Sequence, residues 1–495
     1  MVVTPAAVVR TWDPMAPDAH HERLSALDAT FLAIEDRCSH MHIGSVGIFD
    51  AEPGMSPGGA LDLDRLHHLV SVVLDGVPRY HQRVETIPIL GHPVWVDDAS
   101  FNLHYHLRHT RLPLPGDERQ LKRLAGRVMS QQLDRGKPLW ESWFVEGLEG
   151  NRFAVVSKVH HCMVDGIGGV EMTTATLWPE PGPDPRLAEQ PRSFQPRPVP
   201  TPRELVCAEL WHRLGGALGF VGASARGITQ PRQTAATVVG TIEGLAEGVA
   251  TAVRPASPTP LNVAIGPHRS FDWTAMDLVA VKAVRAGLGG TINDVVLAVV
   301  AGAMRRYLGA RRVDVDRLDF RAMVPVNLRA GYGGTGNRVA SVLVRLPVDE
   351  ADARRRFLRV RHEMEVAKHS HQLDVARAIE DITDWTVTTL IAQTARLAAM
   401  SQPFNLVVTN VPGPQFPLYF LGARLVAAYP LVPIFHRQAL GVALFSYDGR
   451  LFWGINADWD AVPDVHDLVA AIDAEFQLLG AAAGSEPATS PATAV

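Results

Sequence analysis

Cysteine is scarce in this sequence. Its 495 residues include 3, Cys38, Cys162 and Cys207, an odd and widely spaced set that excludes a disulfide framework and a cysteine-based zinc site and fits a reducing compartment. Lysine is nearly as rare: Lys122, Lys137, Lys158, Lys282 and Lys368 are the only lysines among 47 Lys and Arg residues. GC-rich codon usage accounts for that bias, and guanidinium groups that grip phosphate bidentately are its second reading. An excess of positive charge is missing too. The net charge is -5 and the pI near 6.5, which argues against a nucleic-acid binder. No apolar run approaches the ~18 residues of a membrane-spanning helix. The N-terminus carries Arg10, Asp13 and Pro14 where a secretory signal would continue its apolar core. A cytoplasmic protein with at most peripheral membrane contact is expected.

What is present belongs to an ordinary globular protein, 47% hydrophobic and 20% charged, in a chain longer than one core usually supports. From Leu24 to Trp178 short strands alternate with amphipathic helices. The pattern predicts a strand over 42–49, a helix over 63–74 and another over 117–133, where Leu121, Leu124, Val128 and Leu133 share a face. Pro, Arg, Glu and Gln dominate 179–202, which reads as a linker. Ala-, Gly- and Leu-rich helical segments fill 204–253, read either as a connecting layer or as a surface that touches lipid. A second α/β unit follows, with a helix predicted over 292–308, strands over 320–326 and 339–346, and a long helix from Ala351 toward Lys368. The expected division is an N-terminal domain over 1–182, a connector over 183–260, a C-terminal domain over 261–480 and a disordered tail over 481–495.

The informative stretch is RFAVVSKVHHCMVDGIGG, Arg152 to Gly169. An alternating β-rich run breaks at His160 and His161 and reaches Asp165 and Gly166 within one turn. Strand ends that enter loops are where α/β architectures place reactive groups, because the sheet fixes the backbone while the side chain faces a cleft. A lone histidine there is often a core residue. A carboxylate four residues on, followed by glycines that allow a tight return, instead permits an oriented imidazole able to remove a proton from an alcohol. His161 is suited to that role.

HHCMVDG resembles the HHxxxDG motif of the CoA-dependent acyltransferase superfamily, and the wax ester synthase/diacylglycerol acyltransferases within it match best. Their flanking features occur in order: LSALDATFL (24–32), PLW (138–140), TINDVVLAVV (291–300), VPVNLR (324–329), GNRVASVLVRLP (336–347), NVPGP (410–414) and VPD (462–464). The resemblance covers roughly residues 24 to 475. It implies two chloramphenicol acetyltransferase-like α/β domains, each a mixed sheet with packed helices, meeting along a tunnel that acyl-CoA and a lipid alcohol enter from opposite sides. It makes His161 the base, His160 a supporting residue and Asp165 a structural carboxylate, with Arg329 its candidate partner. Gly166, Asn293, Asp294 and Trp140 become site-shaping candidates. Acyl-CoA is then a co-substrate, no cofactor or metal is expected, and diacylglycerol or a long-chain alcohol is the acceptor, collected at a membrane or lipid-droplet surface.

Weaker signals and rival functions stand beside this reading. Thr291 and Asp294 also fit a plain helix N-cap, and Trp140 fits core packing. HRSFD (268–272) has the HxxxD spacing without the second histidine, the following glycine or a strand lead-in. GxSxG at Gly54, Ser56 and Gly58 sits among Asp, Glu and Pro, unlike a nucleophile elbow. The GxGxxG string at Gly331, Gly333 and Gly336 is followed by strand-like residues, unlike a dinucleotide site. Two other functions share the motif: a condensation-type enzyme fed by an acyl-carrier protein, and a non-catalytic binding protein that keeps the scaffold.

Overall fold

The computed structural model describes residues 21–51, 61–163, 175–214, 254–327, 339–369 and 402–484. Asp165, Gly166, Arg329, the GxSxG at 54–58, the glycine string at 331–336 and residues 215–253 of the helical segment lie outside them.

The N-terminal half contains strands β1 (His21–Arg23), β2 (His42–Asp50), β3 (Gln82–Thr86), β4 (Pro93–Asp97), β5 (Leu107–Arg111), β6 (Trp140–Leu148) and β7 (Arg152–His160). Its helices are α1 (Ala26–Ile34), α2 (Leu63–Leu74), the single turn α3 (Leu103–His106) and α4 (Glu118–Ser130). The C-terminal half contains β8 (Arg269–Asp277), β9 (Arg321–Asn327), β10 (Val339–Arg345), β11 (Leu406–Pro412), β12 (Tyr419–Phe420), β13 (Ala423–Leu431), β14 (Leu440–Tyr447) and β15 (Arg450–Asp458). Its helices are α5 (Leu278–Leu288), α6 (Ile292–Ala310), α7 (Ala353–His369) and α8 (Val465–Ala482).

Periodicity placed most of these elements within a few residues. α4 is shorter than the predicted helix because Asp117 caps its start, its side chain accepting from Gln120 N at 2.8 Å while Gln120 Oε1 accepts from Asp117 N at 3.1 Å. At its other end the Lys158 ammonium donates to the carbonyls of Val128 and Gln131 at 3.0 and 2.8 Å. These are carbonyls of the helix end, where Val128 O otherwise accepts only a 3.3 Å bond from the capping Gln131 N–H. One of the few lysines is thus spent, fully buried, on fixing α4 against β7.

Two six-stranded mixed sheets dominate. The C-terminal sheet has the order β10-β9-β11-β14-β15-β8, with β11 parallel to both of its neighbours. The other has the order β12-β13-β2-β7-β6-β5. It differs from the expected division at 261–480, because β12 and β13 come from the C-terminal half and β13 pairs antiparallel with β2. The N-terminal core is shared accordingly, joining Val46, Val156 and Phe144 to Tyr429, Phe452 and Trp273. A three-stranded sheet, β1-β4-β3, lies apart.

Two boundary segments pack onto the units they adjoin. The expected tail at 481–495 begins too early: α8 continues to Ala482, and Gly484 N still donates to Ala481 O. The Pro-rich 179–202 stretch connects the halves but is strapped to the N-terminal unit. Phe194 stacks on His81 at 4.3 Å, and Arg197 meets Asp97 at 2.9 Å. Among the described residues no single helix is long and apolar enough to cross a membrane. The apolar α6 is a core helix, with Val295 to Ala301 all buried.

Candidate active site

β2 and β7 pair antiparallel in a register that sets His42 directly across from His160. β7 ends there. The next residue, His161, opens a single 3-10 turn to Met163, its backbone N–H donating to Met41 O at 2.7 Å. α1, capped by Ser25 and packed on this turn, lays the Phe31 ring on the His161 imidazole, with centroids 4.0 Å apart and planes at 27°. His161 Nδ1 is buried and makes no hydrogen bond among the described residues. Burial, aided by the neighbouring His160 and opposed by its own backbone carbonyl, pulls the imidazole down to about 4. The ring is therefore neutral at any ordinary cellular pH.

His160 is buried and looks the other way. Its Nδ1 accepts from the backbone N–H of Cys162 at 3.1 Å and lies 2.9 Å from the Cys162 sulfur. Burial pushes that thiol up, so it stays protonated and can donate as well. An accepting Nδ1 puts the ring proton on Nε2, which faces the Glu35 carboxylate at 3.7 Å. Glu35 also lies 3.5 Å from His42 Nε2 and accepts from Arg135 Nη2 at 2.6 Å. Burial alone would raise this carboxyl, but His160, Arg135 and His42 outweigh it and hold it at about 2. Arg135 is hydrogen-bonded to Glu35, and His160 to the Cys162 amide, with the Glu35 carboxylate and His160 Nε2 facing one another at 3.7 Å behind the turn that presents His161. Glu35 escaped the sequence reading. It stands three residues beyond LSALDATFL, but nothing local says which histidine it faces.

The other candidates fall in different places. Trp140 is buried, donates Nε1–H to Tyr80 O at 2.9 Å, stacks on His106 at 4.5 Å and also lines a cavity on the N-terminal sheet. Asp294 and Thr291 form the capping box of α6, with Thr291 N donating to Asp294 Oδ2 at 2.7 Å. No hydrogen bond among the described residues joins Asn293 or Asp294 to His161. In the HRSFD decoy, His268 is exposed at the foot of β8, while Asp272 is taken by Lys122 at 2.5 Å and His466 at 3.0 Å. That aspartate ties α4 to β8 across the two halves. The arrangement around His161 can accept a proton from a nucleophile brought to the strand end.

Known proteins resemble this chain in both sequence and fold. The model of the wax ester synthase/diacylglycerol acyltransferase catalytic domain matches residues 24–296, and that of the family's C-terminal domain matches 335–480. A Mycobacterium tuberculosis protein named as a diacylglycerol O-acyltransferase is 33% identical over 474 residues, 93% of this chain and 100% of its own length. Another is 31% identical over 463 residues, covering 92% and 89%. Among solved structures, the wax ester synthase/diacylglycerol acyltransferase of Marinobacter aquaeolei VT8 aligns with a TM-score of 0.64 at 27% identity, covering 94% of this chain and 100% of that one. The starter condensation domain of rhizomide synthetase aligns at 0.55 with 14% identity over 94% and 96% of the two chains, a likeness of fold.

Proposed function

Given that the chain belongs to the wax ester synthase/diacylglycerol acyltransferase family, we propose that His161 is the general base of a direct acyl transfer. The family reaction moves an acyl group from coenzyme A to a lipid alcohol, giving triacylglycerol from diacylglycerol or wax esters from long-chain alcohols. In the proposed step His161 takes the hydroxyl proton as the oxygen attacks the thioester carbonyl. The tetrahedral adduct collapses, the C–S bond breaks, and the imidazolium returns its proton to the leaving thiolate. The thioester supplies the driving force, so the scheme needs no metal or cofactor.

The observation that carries this reading is the neutral imidazole at the end of β7, seated on Phe31 beside a His160 that faces the Glu35 carboxylate. A base of this kind contributes ~10² to 10⁴-fold, and alignment of the two substrates supplies much of the rest. Asp165 is proposed to hold the following loop, with Arg329 as its partner, and Gly166 to permit the return.

A condensation-type enzyme would take its acyl group from a carrier protein. The related condensation domain was solved with C8-CoA, which supports CoA thioesters as ligands of this fold. The deciding experiment offers purified protein palmitoyl-CoA or palmitoyl-carrier protein, each with diacylglycerol, hexadecanol and short alcohols. Transfer from the CoA thioester to the lipid alcohols is expected, and transfer from the carrier alone would overturn the reading. Such substrates are nearly insoluble, so the enzyme is proposed to work bound reversibly to a membrane or lipid-droplet surface.

A further inference from the structure

The HRSFD stretch, a decoy for catalysis, holds one buried cation that the chemistry above leaves unused. Arg269 opens β8 in the C-terminal half and is only 4% exposed. A charge so placed persists where its donors are satisfied. Nη1 donates to Gly266 O at 2.7 Å and to His268 O at 3.0 Å, while Nη2 donates across to Cys38 O in the N-terminal half. Asp458, its cross-strand neighbour, stands 4.0 Å away and is already served by the backbone N–H groups of Gly266, Asp460 and Ala461. Carbonyl oxygens, more than that carboxylate, are what the guanidinium holds.

Cys38 belongs to the segment 35–41, which lies directly behind the site. At one end Glu35 faces His160 Nε2, and at the other Met41 O accepts the His161 N–H at 2.7 Å. Between them Asp36 Oδ1 accepts from Cys38 N and Ser39 N, both at 2.7 Å, so the segment closes on itself as an Asx turn. Cys38 packs against the C-terminal core. Among the described residues, Arg269 is the side chain of the C-terminal half that hydrogen-bonds this segment. It also stands near enough to His40 to add to the burial that holds that ring below its ordinary value. Arg269 is itself fixed against the strand of the histidines. Its N–H donates at 2.8 Å to Ser130 Oγ, at the end of α4 that Lys158 fastens to β7, and a Cβ on Gly126 of α4 would meet Arg269 O at 2.7 Å.

Resting on the general-base reading above, we propose that Arg269 is a positioning residue for the transfer, a clamp by which the C-terminal half holds the 35–41 segment and through it the orientation of His161. Arg269→Met keeps the length of the side chain and removes its donors, while Asp458 retains its own backbone partners. Misplacing a reacting group by ~1 Å can cost about 10²-fold, so kcat with palmitoyl-CoA and diacylglycerol should fall by about that factor, with the KM for acyl-CoA nearly unchanged. The acid limb of kcat/KM should climb from about 4 toward 6.5 as the loosened segment lets water reach the His161 ring. Arg269→Lys, whose ammonium can still reach one carbonyl, should change both in the same direction but less, and decides the matter if Arg269→Met fails to fold. The control is Asp272→Asn, which weakens the tie of Lys122 to β8 between the same two halves without touching the segment. It should lower the melting temperature and leave kcat and the limb near wild type. Folded Arg269 variants with wild-type kcat and limb would overturn the proposal, as would a loss carried by KM or an equal loss in the control. A wild type inactive with every acyl-CoA would refute the acyl-transfer reading itself, whereas an active wild type with unresponsive variants would refute only the clamp.

Discussion

His160 and His161 are neighbours in the chain with opposite surroundings, one turned toward a buried carboxylate and the other stacked on Phe31. In the proposed mechanism Glu35 touches no substrate and works through His160, so Glu35→Gln should lower kcat by roughly the tenfold to hundredfold of lost supporting contacts and leave the KM for acyl-CoA nearly unchanged. Glu35→Asp should restore part of it, and equal losses in both variants would reduce Glu35 to a folding role. Because burial holds His161 at about 4, the base stays unprotonated above that value. The acid limb of kcat/KM should fall near it, and a limb near 6.5 would show the ring in ordinary solvent. Ser56→Ala and His268→Ala should leave the rate near wild type. The pair His160–His161 was legible because the motif is local. Glu35 and Arg135 were not, since their meaning comes from a contact between segments far apart in the chain.

Elements carry the join between the halves. Gly454 in β15 faces Pro430 of the lent strand β13 so closely that a Cβ would collide with the Pro430 carbonyl. Gly454→Ala must push the two sheets apart, and overpacking of this kind costs ~1 to 3 kcal/mol. A lower melting temperature is expected, and an unchanged one would mean the sheets yield freely there. The helical stretch 202–214 exposes Leu210, Trp211 and Leu214, at 46%, 75% and 55%, an apolar strip suited to a lipid interface. Serine at all three should reduce flotation of the protein with liposomes; equal flotation would make the strip incidental. Helix and strand positions were readable because hydrophobic period and caps are local. The lending of β12 and β13 was not, because an alternating pattern says that a strand has a buried face but not which sheet it joins.

Over the whole molecule, burial lowers several histidines together, with His92, His106 and His161 each near 4 against 6.5 when unfolded. The unfolded chain then binds more protons between those values. Stability should be full above about 6.5 and decline as pH falls toward 4, which a series of melting temperatures would record. A flat series would show these rings to be solvated. The two-unit plan was visible in the sequence as two runs of alternating elements around a Pro-rich stretch, while the shared core came only from the strand exchange. The central claim is that this fold delivers a neutral His161 to a lipid alcohol beside an acyl thioester. Its most direct test is the rate of CoA release from palmitoyl-CoA with diacylglycerol by purified His161→Ala protein of unchanged melting temperature. A fall of ~10² to 10⁴-fold is expected, and a folded variant that keeps more than about a tenth of the wild-type rate would contradict the account.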